Sequence, residues 1–223
     1  MKATNEIMEI PIYGLTEASQ YLRVPKNTLR YWTQGTRAIP PLIHLPERSQ
    51  FSFANLLEAH MLSSMRKIYE VRVPRVRKAL VNLAKYVEHK HPLIEEAFET
   101  DRRDLFIDRL GKKVNLSKDE QILIPGIMEL YLERIERDPQ GLFKLFPFVV
   151  AKPKPDEPKM ILITPAIGFG KPVIAGTGIS TAVVASRFSA RESIDDLATE
   201  YGVTAKQIEE AIRWEQRTAA VAA

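Results

Sequence analysis

The clearest chemistry in this chain lies in one short stretch, residues 26–34. Lysine and arginine donate to phosphate oxygens and guanine edges, asparagine pairs with adenine, and tyrosine donates to phosphate. All four residue types occur in the stretch, and no acidic side chain is present to repel a phosphate. We therefore predict that it binds DNA. The side chains expected to make these contacts are Lys26, Asn27, Thr28, Arg30, Tyr31 and Gln34.

Two short helices are predicted to position these side chains. Apolar spacing of three and four places residues 15–22 in a first helix, for which Thr16 is the predicted N-cap. Pro25 suits the first turn of a second helix, which turns Leu29 and Trp32 inward and the polar side chains outward. Two helices joined by a tight turn are typical of a helix-turn-helix motif.

A β-hairpin is predicted to follow the motif as its wing. Residues 42–45 and 50–53 have the composition of two strands, and residues 46–49 would join them as a four-residue loop. Arg48 would lie at the tip of this wing and Arg37 at its base, where both are predicted to contact DNA. Ser52 is then the predicted cap of a long helix.

The charge distribution favours a polyanionic partner for the N-terminal part of the chain. Residues 1–90 carry 14 Lys and Arg against seven Glu and no Asp, whereas residues 91–223 carry 18 Lys and Arg against 21 acidic residues. A basic surface attracts nucleic acid at long range, and its affinity falls with salt. A structural pair of helices whose polar face is only solvated is the alternative interpretation.

Several other kinds of chemistry are not expected. The chain has no cysteine, which excludes disulfides, cysteine-ligated zinc and a cysteine nucleophile. His89 and His91 have no evident third ligand nearby, so no metal site is predicted. Acidic and basic residues alternate in residues 101–109 as in surface ion pairs, and the glycine-rich residues 168–178 lack the spacing of a P-loop. We therefore expect neither an enzyme nor a cofactor.

The sequence predicts a mainly α-helical protein of the α+β class in four parts. These are a winged helix-turn-helix domain (1–73), a middle segment of helices and a β-hairpin (74–150), a linker rich in Pro and Lys (151–159) and a trihelical domain (160–223). No apolar run approaches the ~20 residues of a membrane span, and no signal peptide is evident at the N-terminus. A cytoplasmic protein without membrane contact is therefore expected.

Within these parts, the middle segment is predicted to contain helices at residues 75–88 and 127–135, and a hairpin built from residues 105–107 and 113–116.

The C-terminal domain also has the spacing of a helix-turn-helix. Ser193 is the predicted cap of one helix, and residues 204–207 match the capping box that would open the next. The second helix is expected to expose the carboxylates of Glu209, Glu210 and Glu215. Because these would repel phosphates, we predict that this domain serves protein contacts or dimerisation.

Two strings near the N-terminus resemble a known family. Leu15–Ser19 and Thr28–Trp32 (T-L-R-Y-W) are similar to the DNA-binding head of MerR-type regulators. The resemblance implies that Arg30 and Tyr31 contact DNA, while the two apolar residues of the second string pack inward. The chain departs from that family in lacking a long dimerisation heptad that ends in a sensor domain.

The rest of the chain resembles antitoxins. The string G-K-P-V-I-A-G-T that begins at Gly170 and the residues from 193 onward are similar to the family called domain of unknown function 433, which usually has Arg where this chain has Gly178. The middle strings at 104–106, 114–117 and 131–138 resemble VapB-type antitoxins that carry this domain.

The resemblance implies an antitoxin of a type II toxin–antitoxin pair. Such a protein would bind its double-stranded operator DNA as a homodimer and neutralise a PIN-like ribonuclease toxin. The alternatives are a MerR-like transcriptional regulator without a toxin partner, and a protein-interaction scaffold.

Overall fold

A computed structural model describes residues 6–37, 40–47, 50–69, 90–91, 94, 129–150 and 154–222. About half of these residues are helical, and three antiparallel pairs of short strands accompany the helices, which confirms the α+β class. The helices are α1 Leu15–Leu22, α2 Lys26–Gln34, α3 Phe53–Tyr69, α4 Thr181–Ser189, α5 Ile194–Tyr201 and α6 Ala205–Ala222. The strand pairs are β1 Tyr13–Gly14 with β2 Gln50–Phe51, β3 Ile135–Arg137 with β4 Phe143–Leu145, and β5 Ile161–Leu162 with β6 Val173–Ile174.

The N-cap of helix α1 lies two residues before the predicted one. Gly14 is the N-cap, and its backbone N–H donates to Glu17 Oε2 at 3.1 Å. Thr16 is an exposed residue of the first turn, so its prediction as N-cap was wrong. The carboxylate of Glu17 satisfies the exposed N-terminal backbone in its place.

Helix α2 packs as predicted. Leu29 and Trp32 are buried, and Gly35 ends the helix with a positive φ of 63°. The carbonyl of Trp32 accepts hydrogen bonds from the backbone N–H groups of Leu42, at 2.6 Å, and Ile43, at 3.0 Å. The chain after α2 is therefore fastened to the end of that helix.

This attachment changes the predicted wing. Residues 42–45 are not a strand, because the N–H groups of Leu42 and Ile43 are used by Trp32 and do not join a ladder. Strand β2 pairs instead with β1, in a register that places Tyr13 opposite Phe51. The hairpin pairing was thus predicted wrongly, and Arg48 lies outside the described residues.

The predicted start of α3 is confirmed. Ser52 Oγ accepts from the backbone N–H of Asn55 at 3.2 Å, and Asn55 Oδ1 accepts from the N–H of Ser52 at 3.1 Å. This reciprocal pair is a capping box in which asparagine replaces the usual glutamate.

The helix predicted at residues 127–135 ends earlier than expected. Residues 129–132 are helical, but Ile135 already belongs to β3. Asp138 accepts from the backbone N–H groups of Gln140, at 3.0 Å, and Leu142, at 2.8 Å, and so fixes the turn into β4. The predicted helix at 75–88 and hairpin at 105–116 lie outside the described residues.

The C-terminal helices start where the caps predicted. Ser193 Oγ accepts from the N–H of Asp196 at 3.1 Å, and Gly202 ends α5 with a φ of 64°. Thr204 and Gln207 form the predicted capping box, with distances of 3.0 and 3.3 Å. These local signals therefore fixed the boundaries of α5 and the beginning of α6.

Helix α6 packs against α1 and against α4. Trp214 of α6 is fully buried, and its ring lies 6.1 Å from that of Tyr21 in α1. Buried residues of both ends of the chain therefore belong to one hydrophobic core. No helix among the described residues combines the length and the apolar content that crossing a membrane requires.

This packing corrects the prediction of an exposed acidic face on α6. Glu209 is exposed, but Glu210 is half-buried and pairs with Arg213. Glu215 is also half-buried and accepts a hydrogen bond from Thr181 Oγ1 in α4. Two of the three carboxylates thus serve contacts within the chain, because α6 lies between neighbouring helices.

Candidate nucleic-acid interface

The exposed face of α2 carries a polar stripe. Asn27, Arg30 and Gln34 are exposed, whereas Leu29 and Trp32 are buried on the opposite face. Spacings of three and four residues align the exposed three along one side of the helix. Two amides and a guanidinium therefore point outward together, as they must in order to reach base edges.

Arg30 keeps most of its hydrogen-bonding capacity for a ligand. Its Nη1 atom makes a long contact of 3.4 Å with Asn27 Oδ1. A guanidinium has five N–H donors in a planar fork, which matches the paired acceptors of guanine or two phosphate oxygens. The contact orients Arg30 along the stripe without occupying the fork.

The other predicted DNA contacts flank this stripe. Lys26, Thr28 and Tyr31 are half-buried, and Tyr31 packs partly against the hydrophobic core. Arg37 is exposed just beyond the end of α2. The structure thus groups the three central residues on one face and places these four around them, while the position of Arg48 is not described.

Hydrogen bonds in the turn between α1 and α2 fix the orientation of the helix that carries the stripe. Ser19 is buried, and its hydroxyl donates to the carbonyl of Val24 at 2.7 Å. The N–H of Val24 donates in return to the carbonyl of Ser19 at 3.2 Å. Together with buried Leu29, these bonds hold α2 at a fixed angle to α1, so the stripe is positioned before any ligand binds.

A groove of ≈ 590 Å³ lies beside the C-terminal end of α2. Gln34, His44 and Glu47 contribute polar groups to its lining. His44 was not among the predicted site residues, because residues 42–45 were predicted to form a strand. The signal that could have identified it is Gly35, which ends α2 and directs the following chain back along the helix.

A second polar cluster joins His91 to Glu58 of α3 and to Glu9 near the N-terminus. His91 Nδ1 is 2.9 Å from Glu58 Oε2, and His91 Nε2 is 2.7 Å from Glu9 Oε1. Burial opposes a charged imidazolium, but the hydrogen bonds to Glu58 and Glu9 and their charges outweigh burial and raise the pKa of His91.

In this cluster the imidazole of His91 links two glutamates from different parts of the chain by hydrogen bonds. No group of three or more histidine, aspartate or glutamate side chains in the described part of the chain is arranged to hold a metal ion. His89, the other histidine of the pair considered above, lies outside the described residues.

Comparisons with known proteins find similarity over nearly the whole chain. Residues 161–214 match the family described as protein of unknown function DUF433. A protein of Mycobacterium tuberculosis H37Rv named "Putative antitoxin VapB45" is 28% identical, over 92% of this chain and 93% of that protein. A second, named "Uncharacterized protein Rv2308", is 24% identical over 96% of this chain and 94% of its own length.

The fold also matches a solved structure. The crystal structure of Rv2018 from Mycobacterium tuberculosis aligns with a TM-score of 0.69 and 27% sequence identity. The alignment covers 92% of this chain and 99% of that one. The similarity therefore includes the N-terminal helices as well as the C-terminal residues that match DUF433.

Proposed function

We propose that this chain is a DNA-binding antitoxin. The similarity across 92% of its length to a protein named as a putative antitoxin supports the antitoxin role. The exposed stripe of Asn27, Arg30 and Gln34 on a helix-turn-helix is the observation that carries the DNA-binding role. The two roles together describe a protein that represses its own operon and neutralises a toxin.

In this proposal α2 is the recognition helix of a MerR-like head. A helix of this kind enters the major groove, where Arg30 reaches guanine or phosphate and the amides of Asn27 and Gln34 reach adenine. Lys26 and Arg37, at the two ends of α2, are placed to contact the phosphate backbone. Base contacts would then specify the operator, and phosphate contacts would fix the register.

The chain acts as a homodimer in this proposal. Two identical heads related by a twofold axis require a palindromic operator, with half-sites one helical turn or a multiple of it apart. The partner to be neutralised is a PIN-like ribonuclease toxin.

The DNA-binding role is tested with Arg30→Ala. We expect the variant to lose about 1–3 kcal/mol of binding free energy for its operator, because the guanidinium fork has no replacement on α2. The measurement is fluorescence anisotropy with a labelled duplex from the region upstream of the gene, at fixed salt.

Lys206→Ala is the matched control. It removes one positive charge from an exposed position on α6, far along the chain from the stripe. We expect it to bind the operator as the wild type does. Equal affinities of wild type and Arg30→Ala would contradict the assignment of α2 as the recognition helix.

The antitoxin role is tested by co-expression with the product of the neighbouring gene. We expect that product alone to arrest growth and cleave RNA, and the complete chain to reverse both effects and copurify with it. If the neighbouring product is harmless and does not bind, the chain is a regulator without a toxin, or a scaffold if DNA binding is absent too.

A further inference from the structure

Two arginines from opposite ends of the chain meet at one carbonyl. Arg23 follows α1, in the turn before α2, and Arg217 lies near the end of α6. Arg23 Nη2 and Arg217 Nη1 both donate to the carbonyl oxygen of Val149. Because they share a single acceptor atom, the two guanidinium groups lie side by side.

Two features of Arg23 are energetically unfavourable. Burial lowers the pKa of Arg23, and the adjacent charge of Arg217 lowers it further. The backbone of Arg23 also has a φ of 53° and a ψ of 41°, the left-handed conformation that favours glycine at the end of a helix.

One carboxylate faces the arginine pair. The charge of Glu157 favours the charged form of Arg23, and the Oε1 atom of Glu157 accepts from the backbone N–H groups of Val149 and Val150. Neither Arg23 nor Arg217 forms a salt bridge in the part of the chain that the structure describes. Residues on both sides of Val149 also contact Arg134, whose guanidinium donates to four of their backbone carbonyls.

Among the described residues, most of the donors of the pair have no hydrogen-bond acceptor. A guanidinium has five N–H groups, and each of these two uses one on Val149. Arg23 and Arg217 are both half-buried, so part of each side chain can be reached from solvent. Two neighbouring guanidinium groups can each donate to oxygens of one tetrahedral oxyanion.

We propose that Arg23 and Arg217 form a binding site for a phosphate group at the junction of the helix-turn-helix and the C-terminal helix. The phosphate comes from a small anion or from the DNA backbone. The site does not depend on α2 reading DNA, and it uses neither the stripe nor the antitoxin assignment.

The first experiment uses inorganic phosphate as the probe. Thermal unfolding of the complete chain is followed in phosphate and in chloride at matched ionic strength. For a ligand at about ten times its dissociation constant we expect phosphate to raise the Tm by about 3–6 °C. Arg23→Gly and Arg217→Gln should abolish the shift.

These variants are chosen to keep the fold. Each leaves the Val149 carbonyl with the other arginine as donor, and glycine suits the left-handed backbone at position 23. Arg213→Gln is the control, because it lies one turn from Arg217 on α6 and pairs with Glu210. It should keep the wild-type shift.

The second experiment identifies the source of the phosphate. The salt dependence of binding to a DNA duplex is measured for the same variants. Losing one neutralised backbone phosphate should reduce the slope of log K against log salt by about 0.9 in Arg217→Gln. An unchanged slope with a lost thermal shift assigns the site to a small anion. The proposal is overturned if neither measurement separates Arg23→Gly and Arg217→Gln from Arg213→Gln.

Discussion

Gly170 lies where the C-terminal residues meet the strand that leads into α1. It has a φ of 76°, and a Cβ atom there would lie 2.4 Å from Tyr13 Oη and 2.8 Å from Ile12 Cδ1. Tyr13 is buried, so its ring has no room to retreat. We expect Gly170→Ala to reduce the free energy of unfolding by about 2–4 kcal/mol, through backbone strain and overpacking. Urea unfolding followed by circular dichroism measures this change.

Two other glycines separate these causes. Gly176 has a φ of 80° and no atom within 4 Å of its Cβ position, so Gly176→Ala tests the backbone alone. At Gly178 there is open space and no positive φ, and Gly178→Ala should change the stability by less than about 0.5 kcal/mol. Equal losses at positions 170 and 178 would contradict this account.

Some side-chain roles were predictable and others were not. The spacing of Leu29 and Trp32 showed which face of α2 is buried, because helical geometry relates neighbours three and four residues apart. No helical spacing relates Arg23 to Arg217, because the two residues are far apart in the sequence and meet only in the folded chain. The candidate DNA stripe was therefore predictable from the sequence, whereas the arginine pair was not.

Some secondary-structure elements were likewise predictable from the sequence and others were not. The caps at Ser52, Ser193 and Thr204 were predicted correctly because each uses side chains only three residues apart. The wing was predicted wrongly because the partner of β2 is β1, a two-residue strand too short to show any alternation. The carbonyl of Trp32 near the end of α2 accepts hydrogen bonds from Leu42 and Ile43, which had been predicted to belong to a strand.

The contact between α6 and α1 depends strongly on one side chain. Trp214 is fully buried and lies against Tyr21. We expect Trp214→Ala to reduce the free energy of unfolding by about 3–5 kcal/mol, since it removes a large apolar side chain and leaves a cavity. Urea denaturation monitored by far-UV circular dichroism measures the loss. Glu209→Ala, at an exposed position of the same helix, should be nearly neutral. A small loss for Trp214→Ala would mean that α6 does not support α1.

The predicted linker is partly held in place by a buried arginine. Arg134 donates to the carbonyls of Phe146 and Pro147 on one side and of Glu157 and Pro158 on the other. Composition alone describes residues 151–159 as a spacer, because proline and charge do not pack a core. A buried arginine can nevertheless bind the backbone carbonyls of such a segment, and no local pattern predicts this.

The hydrogen-bonded cluster of His91 and two glutamates connects residues that are distant in the sequence. It should also make the free energy of unfolding depend on pH. His91 bonds to Glu9 near the N-terminus and to Glu58 in α3, while Lys90 also pairs with Glu9. The pKa of His91 is raised because the two glutamates outweigh burial. Burial also raises the pKa of Glu58, against the opposing effects of His91, Asn55 and His44. Both shifts mean that the folded chain binds protons more tightly than the unfolded chain does.

The sign of the pH effect follows from these directions. A histidine whose folded pKa is raised contributes stability that is fully present below its unfolded pKa of about 6.5, and loses it as pH rises through the folded value. We expect the difference in free energy of unfolding between wild type and His91→Gln to be largest near pH 6 and to shrink as the pH rises from there. Urea titrations at constant ionic strength measure it. Glu9→Gln, which removes one of the two carboxylates, should weaken this pH dependence without abolishing it, because Glu58 still holds the imidazolium. A difference that stays constant with pH would mean that the pKa of His91 is the same in the folded and the unfolded chain.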